Sequence, residues 1–344
     1  MLALPIPDRL PSTWSQLTAA LLKAGLSASS LEAFSEPSAR SVLAERMAQL
    51  LDQPASARGD RAGAMIVVSP LSAVLEAEQA EHDRYFGVTR RHDDTGVTFV
   101  AGLVIAYATA YENCLGMGVT LLDDPEWERF FGGLRALAAI GDGGTGTDAP
   151  QTPVPTGQQS DYDPARRWLV GHQLFFALIQ GAIVGLNCFA EARLRAAGRE
   201  ADEGLALAAA FMRSSAAAMR FASDFEPSDY DATVRPAMAP PVVRAGFSGL
   251  QTRDHTHLVR LFAALKPVLA TAGHSDAHRE FVDSVVSAYA SHEFICARFR
   301  GDVLPSLRMA AHSRGKSQRS GVEVIRDMMR ARLALIDSRP DSEK

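Results

Sequence analysis

An all-α protein is predicted, on three observations. Apolar residues recur at helical spacing through most of the 344 residues. Strand-like alternation never lasts more than a few positions, and two long apolar stretches carry the isolated polar residues that central helices bury.

Taken in order, Pro11-Ser12-Thr13 ahead of Trp14-Ser15-Gln16-Leu17 reads as a capped helix start. A second helix is expected over 39–51, ending at the polar run 52–61, and a third over 71–86, closed by Gly87. The apolar stretches 97–122 and 168–190 follow, with a shorter helix near 125–140 between them. His172, Gln173, Gln180 and Asn187 interrupt the second stretch, polar residues also fall within the first, and neither stretch shows a basic flanking asymmetry. Both are therefore expected in a soluble core rather than a membrane.

Residues 141–164, dense in Gly, Thr, Pro, Gln and Ser, read as a flexible loop. The helices on both sides of it need burial, so one domain is expected over 1–344, with 1–62 as peripheral helices. Further helices are expected over 204–222, 253–272, 275–299, 304–311 and 322–336. Residues 224–243, with four prolines, read as a loop, and 312–321 as a basic Gly/Ser-rich linker.

Composition narrows the function classes. A net charge of −5 and a pI of about 6.0 point to no nucleic acid and no anionic membrane as partner. Three scattered cysteines make no disulfide framework, and the N-terminus lacks a basic and then apolar leader, so a cytoplasmic location is expected. There is no Gly-x-Ser-x-Gly elbow, phosphate loop or dinucleotide fingerprint. Without any Glu-x-x-His, a four-helix carboxylate di-iron site is disfavoured as well.

The most informative pair is His292 and Cys296. Four residues apart on a helix, they project from the stripe that also carries Phe281, Val285, Tyr289 and Phe299. An inward imidazole and thiol at that spacing suit a haem, the imidazole on the iron and the thiol on a vinyl group at the porphyrin edge. They equally suit a core in which the cysteine is a small hydrophobe and the histidine only satisfies a hydrogen bond. A second imidazole would complete a bis-histidine site. His255, on the stripe of Leu258, Phe262 and Leu265, is the better candidate, with His257 as the alternative. His274 and His278 have metal-ligand spacing but read as a solvated polar turn, and His172 reads as a satisfied core residue. His82 and His92 are weaker candidates for a distal pocket.

The run Val-Ser-Ala-Tyr289-Ala-Ser-His292-Glu-Phe-Ile-Cys296-Ala-Arg-Phe299-Arg300 resembles the histidine-ligated haem-dependent aromatic oxygenases, all-α relatives of the tryptophan and indoleamine dioxygenases. Dioxygenases of that group carry Phe-Arg-x-x-His, with the histidine on the iron. Here Phe299-Arg300 leads into Gly301-Asp302-Val303, so that ligand is missing. The residues look more like the branch that hydroxylates 3-methyl-L-tyrosine in saframycin-type tetrahydroisoquinoline antibiotic biosynthesis, whose motif is His-x(n)-His-x-x-x-Cys. The specific resemblance covers about 225–336.

It implies a haem held by His292 and His255 (or His257) as axial iron ligands, with one thioether to Cys296. It implies hydroxylation of the phenol ring of a small aromatic amino acid, giving 3-hydroxy-5-methyl-L-tyrosine, by peroxide or by dioxygen with a reductant. The distal imidazole, on the His255 helix, has to leave the iron before oxidant binds. Arg314, Lys316 and Arg319 are expected to meet the substrate carboxylate, because the dioxygenases use a Gly-rich loop at the equivalent place; the haem propionates are the other candidate partners. A homodimer is compatible with this picture. A related tyrosine hydroxylase, an indole or tryptophan dioxygenase-type enzyme, and a non-enzymatic helical binding protein remain as alternatives.

Overall fold

The long helices start where the sequence supplies caps. Asp94, Asp123 and Asp163 each accept a hydrogen bond from the backbone N–H three residues on, opening α5 (Thr95–Met117), α6 (Asp124–Gly141) and α7 (Pro164–Leu194). Pro125 and Pro164 sit in the first turns of α6 and α7, where no N–H is needed. The computed structural model describes all residues except 33, 35, 53–71, 144–160, 240–241, 244–251, 272–274, 300, 303–318 and 338–344.

Before these helices come α1 (Trp14–Ala24), α2 (Ala28–Glu32), α3 (Pro37–Asp52) and α4 (Ala73–Tyr85). After them come α8 (Gly198–Ala222), α9 (Arg253–Thr271), α10 (Asp276–Arg298) and α11 (Gly321–Ile336). The all-α class holds, with one small exception. Strands β1 (Leu2–Pro5) and β2 (Val88–Arg91) form a two-stranded parallel ribbon, registered from Leu2 opposite Val88 to Pro5 opposite Arg91. Four residues are too few for alternation to show in the sequence.

α7 is the centre. It is apolar on all sides and is packed by α8, α5 and α9. Both helices long and apolar enough to cross a membrane, α5 and α7, are largely enclosed by other elements. α7 and α8 approach closely because small residues face each other: a Cβ on Gly185 would lie 2.6 Å from the Ala208 nitrogen, and one on Gly204 2.6 Å from the Phe189 nitrogen. α6 and α10 flank α8, while β1 lies against α5, where a Cβ on Gly102 would meet the Ala3 carbonyl.

Two expectations are corrected. The described residues of the segment 1–62 are not peripheral: Leu2, Leu4, Leu17, Leu21, Leu31, Leu43 and Met47 are buried in the same apolar core as α7. Their small number per segment hides this from composition. Residues 224–243 are not a simple loop either, since Pro227–Asp229, the π turn Tyr230–Val234 and Arg235–Ala237 form successive helical turns. Most of the 141–164 loop, and the short helix expected over 304–311, lie outside the described residues.

Replacing Gly185 with Ala forces the α7 and α8 backbones apart, and is expected to cost about 1–3 kcal/mol in urea unfolding. Gly198, with nothing within 4 Å of the position a Cβ would take, is the control and should tolerate Ala. Equal stability of both variants would mean that the close approach is not needed.

Candidate active site

α9 and α10 are consecutive helices, and Phe262 of α9 meets Phe281 of α10 edge to face at 5.9 Å. His255 lies two turns before Phe262, and His292 three turns after Phe281. α11 lies across both helices. It is fixed by Val322 N–H donating to the Gly301 carbonyl (3.1 Å) and His278 Nε2–H donating to the Ile336 carbonyl (2.8 Å).

On the expected stripe of α10, Phe281, Val285, Tyr289 and Phe299 are buried, while His292 and Cys296 are half-buried. The His292 Nδ1 atom is buried without a hydrogen-bond partner among the described residues, and so is the indole nitrogen of Trp168. Burial holds the His292 imidazole neutral, its pKa pushed down to about 4. One turn on, burial pushes the Cys296 thiol up to about 12, so it is protonated.

Facing this turn is a side chain that the sequence marks only as a satisfied core residue. His172 of α7 lies close enough to His292 that a charge there would disfavour its own protonation, although burial is the larger reason that its pKa falls to about 4. Its Nδ1–H donates to the Trp168 carbonyl at 2.8 Å, which fixes the tautomer and leaves Nε2 as an acceptor. The ring stacks on Phe86 (4.8 Å) and lies against Trp168 (4.2 Å). An aromatic wall continues from Trp168 to Tyr230 (5.7 Å), Phe299 (4.2 Å) and Phe225 (5.4 Å). Tyr230 also lies near Cys296. In the sequence His172 is one polar residue on an apolar helix, with nothing to mark its neighbour on α10.

His255 is buried in the first turn of α9. The next residue back, Asp254, accepts from Gln180 of α7 at 2.8 Å. Along α7, Gln180 and His172 are about two turns apart, roughly 12 Å. α7 thus reaches the residue beside His255 through Gln180, and lies near His292 through His172. His257 points elsewhere: its Nδ1–H donates to Asp8 at 2.7 Å, at the N-terminal 3-10 turn. Arg319 is half-exposed and ion-paired with Asp327 along α11, while Arg314 and Lys316 lie outside the described residues. His278 is buried rather than solvated, a correction, because its ring bonds the end of α11; His274 lies outside the described residues. His82 is buried on α4, and His92 is exposed.

The sequence profile of the SfmD 3-methyl-L-tyrosine peroxygenase family matches residues 3–280. The 3-methyl-L-tyrosine peroxygenase of Streptomyces lavendulae is 30% identical over 347 aligned residues, spanning 98% of this chain and 91% of the relative. The chain belongs to the SfmD 3-methyl-L-tyrosine peroxygenase family. The crystal structure of reduced SfmD, soaked with sodium hydrosulfite, superposes with a TM-score of 0.62 at 25% identity, covering 85% of this chain and 95% of that one. Membership of the SfmD family thus rests on nearly the whole length, whereas the profile match itself stops short of His292 and Cys296.

The two depressed histidines have a consequence for stability. Both pKa values lie below the unfolded value of 6.5, so the unfolded chain binds protons first as pH falls. In the haem-free protein this stability is whole above about pH 6.5 and is lost toward pH 4, roughly 2 kcal/mol per histidine between pH 7 and 5. Urea midpoints across that range should show it, and His172→Phe with His292→Phe should flatten the curve. An unchanged slope in the double variant would place the sensitivity elsewhere.

Proposed function

We propose that this chain hydroxylates the phenol ring of 3-methyl-L-tyrosine, beside the hydroxyl, with peroxide as oxidant and a haem bound between the start of α9 and the end of α10. The observation that carries the cofactor is His292: a half-buried, neutral imidazole whose Nδ1 is buried without a hydrogen-bond partner among the described residues, one turn from a protonated thiol. An unsatisfied buried polar atom costs free energy, and a bound group that engages this imidazole would remove the cost. His292 and His255 would hold the haem iron, and Cys296 would tether the porphyrin through a thioether. Family membership supports the substrate and the oxidant, both named in the S. lavendulae relative.

When bound, the haem would supply the oxidising chemistry that passes one oxygen atom of the peroxide to the ring and leaves the other as water. The protein's residues do the rest. Trp168, Tyr230 and Phe299 offer stacked aromatic faces to a planar substrate and keep water from it. His172, locked as the Nδ1–H tautomer, offers its Nε2 to a phenol hydroxyl, the one ring donor that the substrate brings. His255, in the first turn of α9, would be the imidazole that gives way to oxidant, and Cys296 would keep the cofactor in place.

Intact mass and visible spectra test this together. Acid-denatured wild type should carry a haem-sized increment that Cys296→Ala loses while keeping a Soret band. His292→Ala should cost more in turnover of 3-methyl-L-tyrosine with peroxide than the roughly 10–100-fold typical of an outer-shell partner. A protein expressed with ample iron that shows neither Soret band nor turnover would refute the proposal.

A further inference from the structure

The first turn of α9 is anchored residue by residue, and His255 stands in the middle of the anchors. Arg253 pairs with Glu76 of α4 at 2.8 Å and lies 3.6 Å from Asp83. Asp254, fully buried, takes both terminal nitrogens of Arg90 on β2 (2.7 and 2.9 Å) and the Gln180 amide of α7 (2.8 Å). Thr256 meets Gln79 of α4 at 3.4 Å, and His257 meets Asp8 at 2.7 Å. Arg90 in turn grips Asp83 (2.7 Å) and donates to the Pro5 carbonyl (3.3 Å), to which Gln180 also donates (2.9 Å). One turn of helix is therefore fastened to β1, β2, α4, α7 and the N-terminal 3-10 turn at once.

A buried ion network of this kind is weak evidence for stability, because desolvating the charges offsets much of their attraction. Its geometry is better explained by specificity: a bidentate guanidinium on a carboxylate fixes orientation as well as distance. The parallel ribbon has the same logic, since its outer end delivers Arg90 to Asp254. We infer that Arg90 and Asp254 are positioning residues that hold the α9 backbone so that the His255 imidazole reaches the haem iron. The inference rests on the reading of His255 as an axial ligand.

The test uses the holoprotein and its ferric spectrum. An iron with two axial imidazoles is low-spin, and loss of one raises the high-spin fraction, seen by visible absorption and electron paramagnetic resonance. His255→Ala should become high-spin. Arg90→Lys, which keeps the charge but not the fork, and Asp254→Asn should each raise the high-spin fraction several-fold over wild type, while the haem-sized mass increment through Cys296 is retained. A role in stability alone would lower the unfolding midpoint and leave the spectrum unchanged. If His255→Ala shifts the spectrum and both anchor variants do not, the positioning inference falls and the ligand reading stands. A wild-type spectrum in His255→Ala overturns both. Should Arg90→Lys fail to fold, Gln180→Met removes only the neutral donor from Asp254 and is judged by the same spectrum.

Discussion

α7 has to be enclosed on every side, and the rest of the molecule is arranged around that requirement. A helix of 31 residues with apolar side chains all round cannot face water, so α8, α5 and α9 cover it. The small-residue seam with α8 brings those two backbones together and uses up one face. On the others α7 carries a few buried polar groups. Arg167, His172 and Gln180 all lie on α7, and each is held by a specific partner: Asn113, the Trp168 carbonyl and Asp254.

This arrangement explains why the site is polar at a few points within an apolar enclosure. Buried polar groups persist where they are hydrogen-bonded, and most of those on α7 are. Among the described residues, the Trp168 indole nitrogen of α7 and the His292 Nδ1 of α10 are buried without a hydrogen-bond partner, as are single side-chain atoms of Arg167 and Gln180 on α7 and of Tyr289 and Arg298 on α10. Unpaired buried nitrogens beside a stacked aromatic wall mark a place built for something else to occupy. Low pKa values at His172 and His292 have the same cause, since an apolar enclosure disfavours the charged form.

Much of this is legible in the sequence, unevenly. The helices expected over 97–122, 168–190, 253–272 and 275–299 lie within a few residues of α5, α7, α9 and α10, because hydrophobic periodicity over many turns is a strong signal. α5 ends at Met117 rather than 122 because Gly118, at φ 75°, breaks it. His292 and Cys296 can be paired because i, i+4 spacing fixes their common face before any tertiary contact forms. His278 escapes such reading, since a histidine in a polar first turn gives no sign that a later helix will end on it.

By itself, the sequence determined what local rules govern: the helical class, the caps, the buried stripe on α10 and the imidazole and thiol it carries. Only the tertiary structure decided which residues from other elements meet that stripe. Opposing His172 to His292, and binding Asp254 to an arginine on a four-residue strand, depend on how distant helices pack. Such pairings leave no periodic trace in the chain. They arise because a closed apolar core leaves each buried polar group few partners, and those partners are chosen by space rather than by sequence distance.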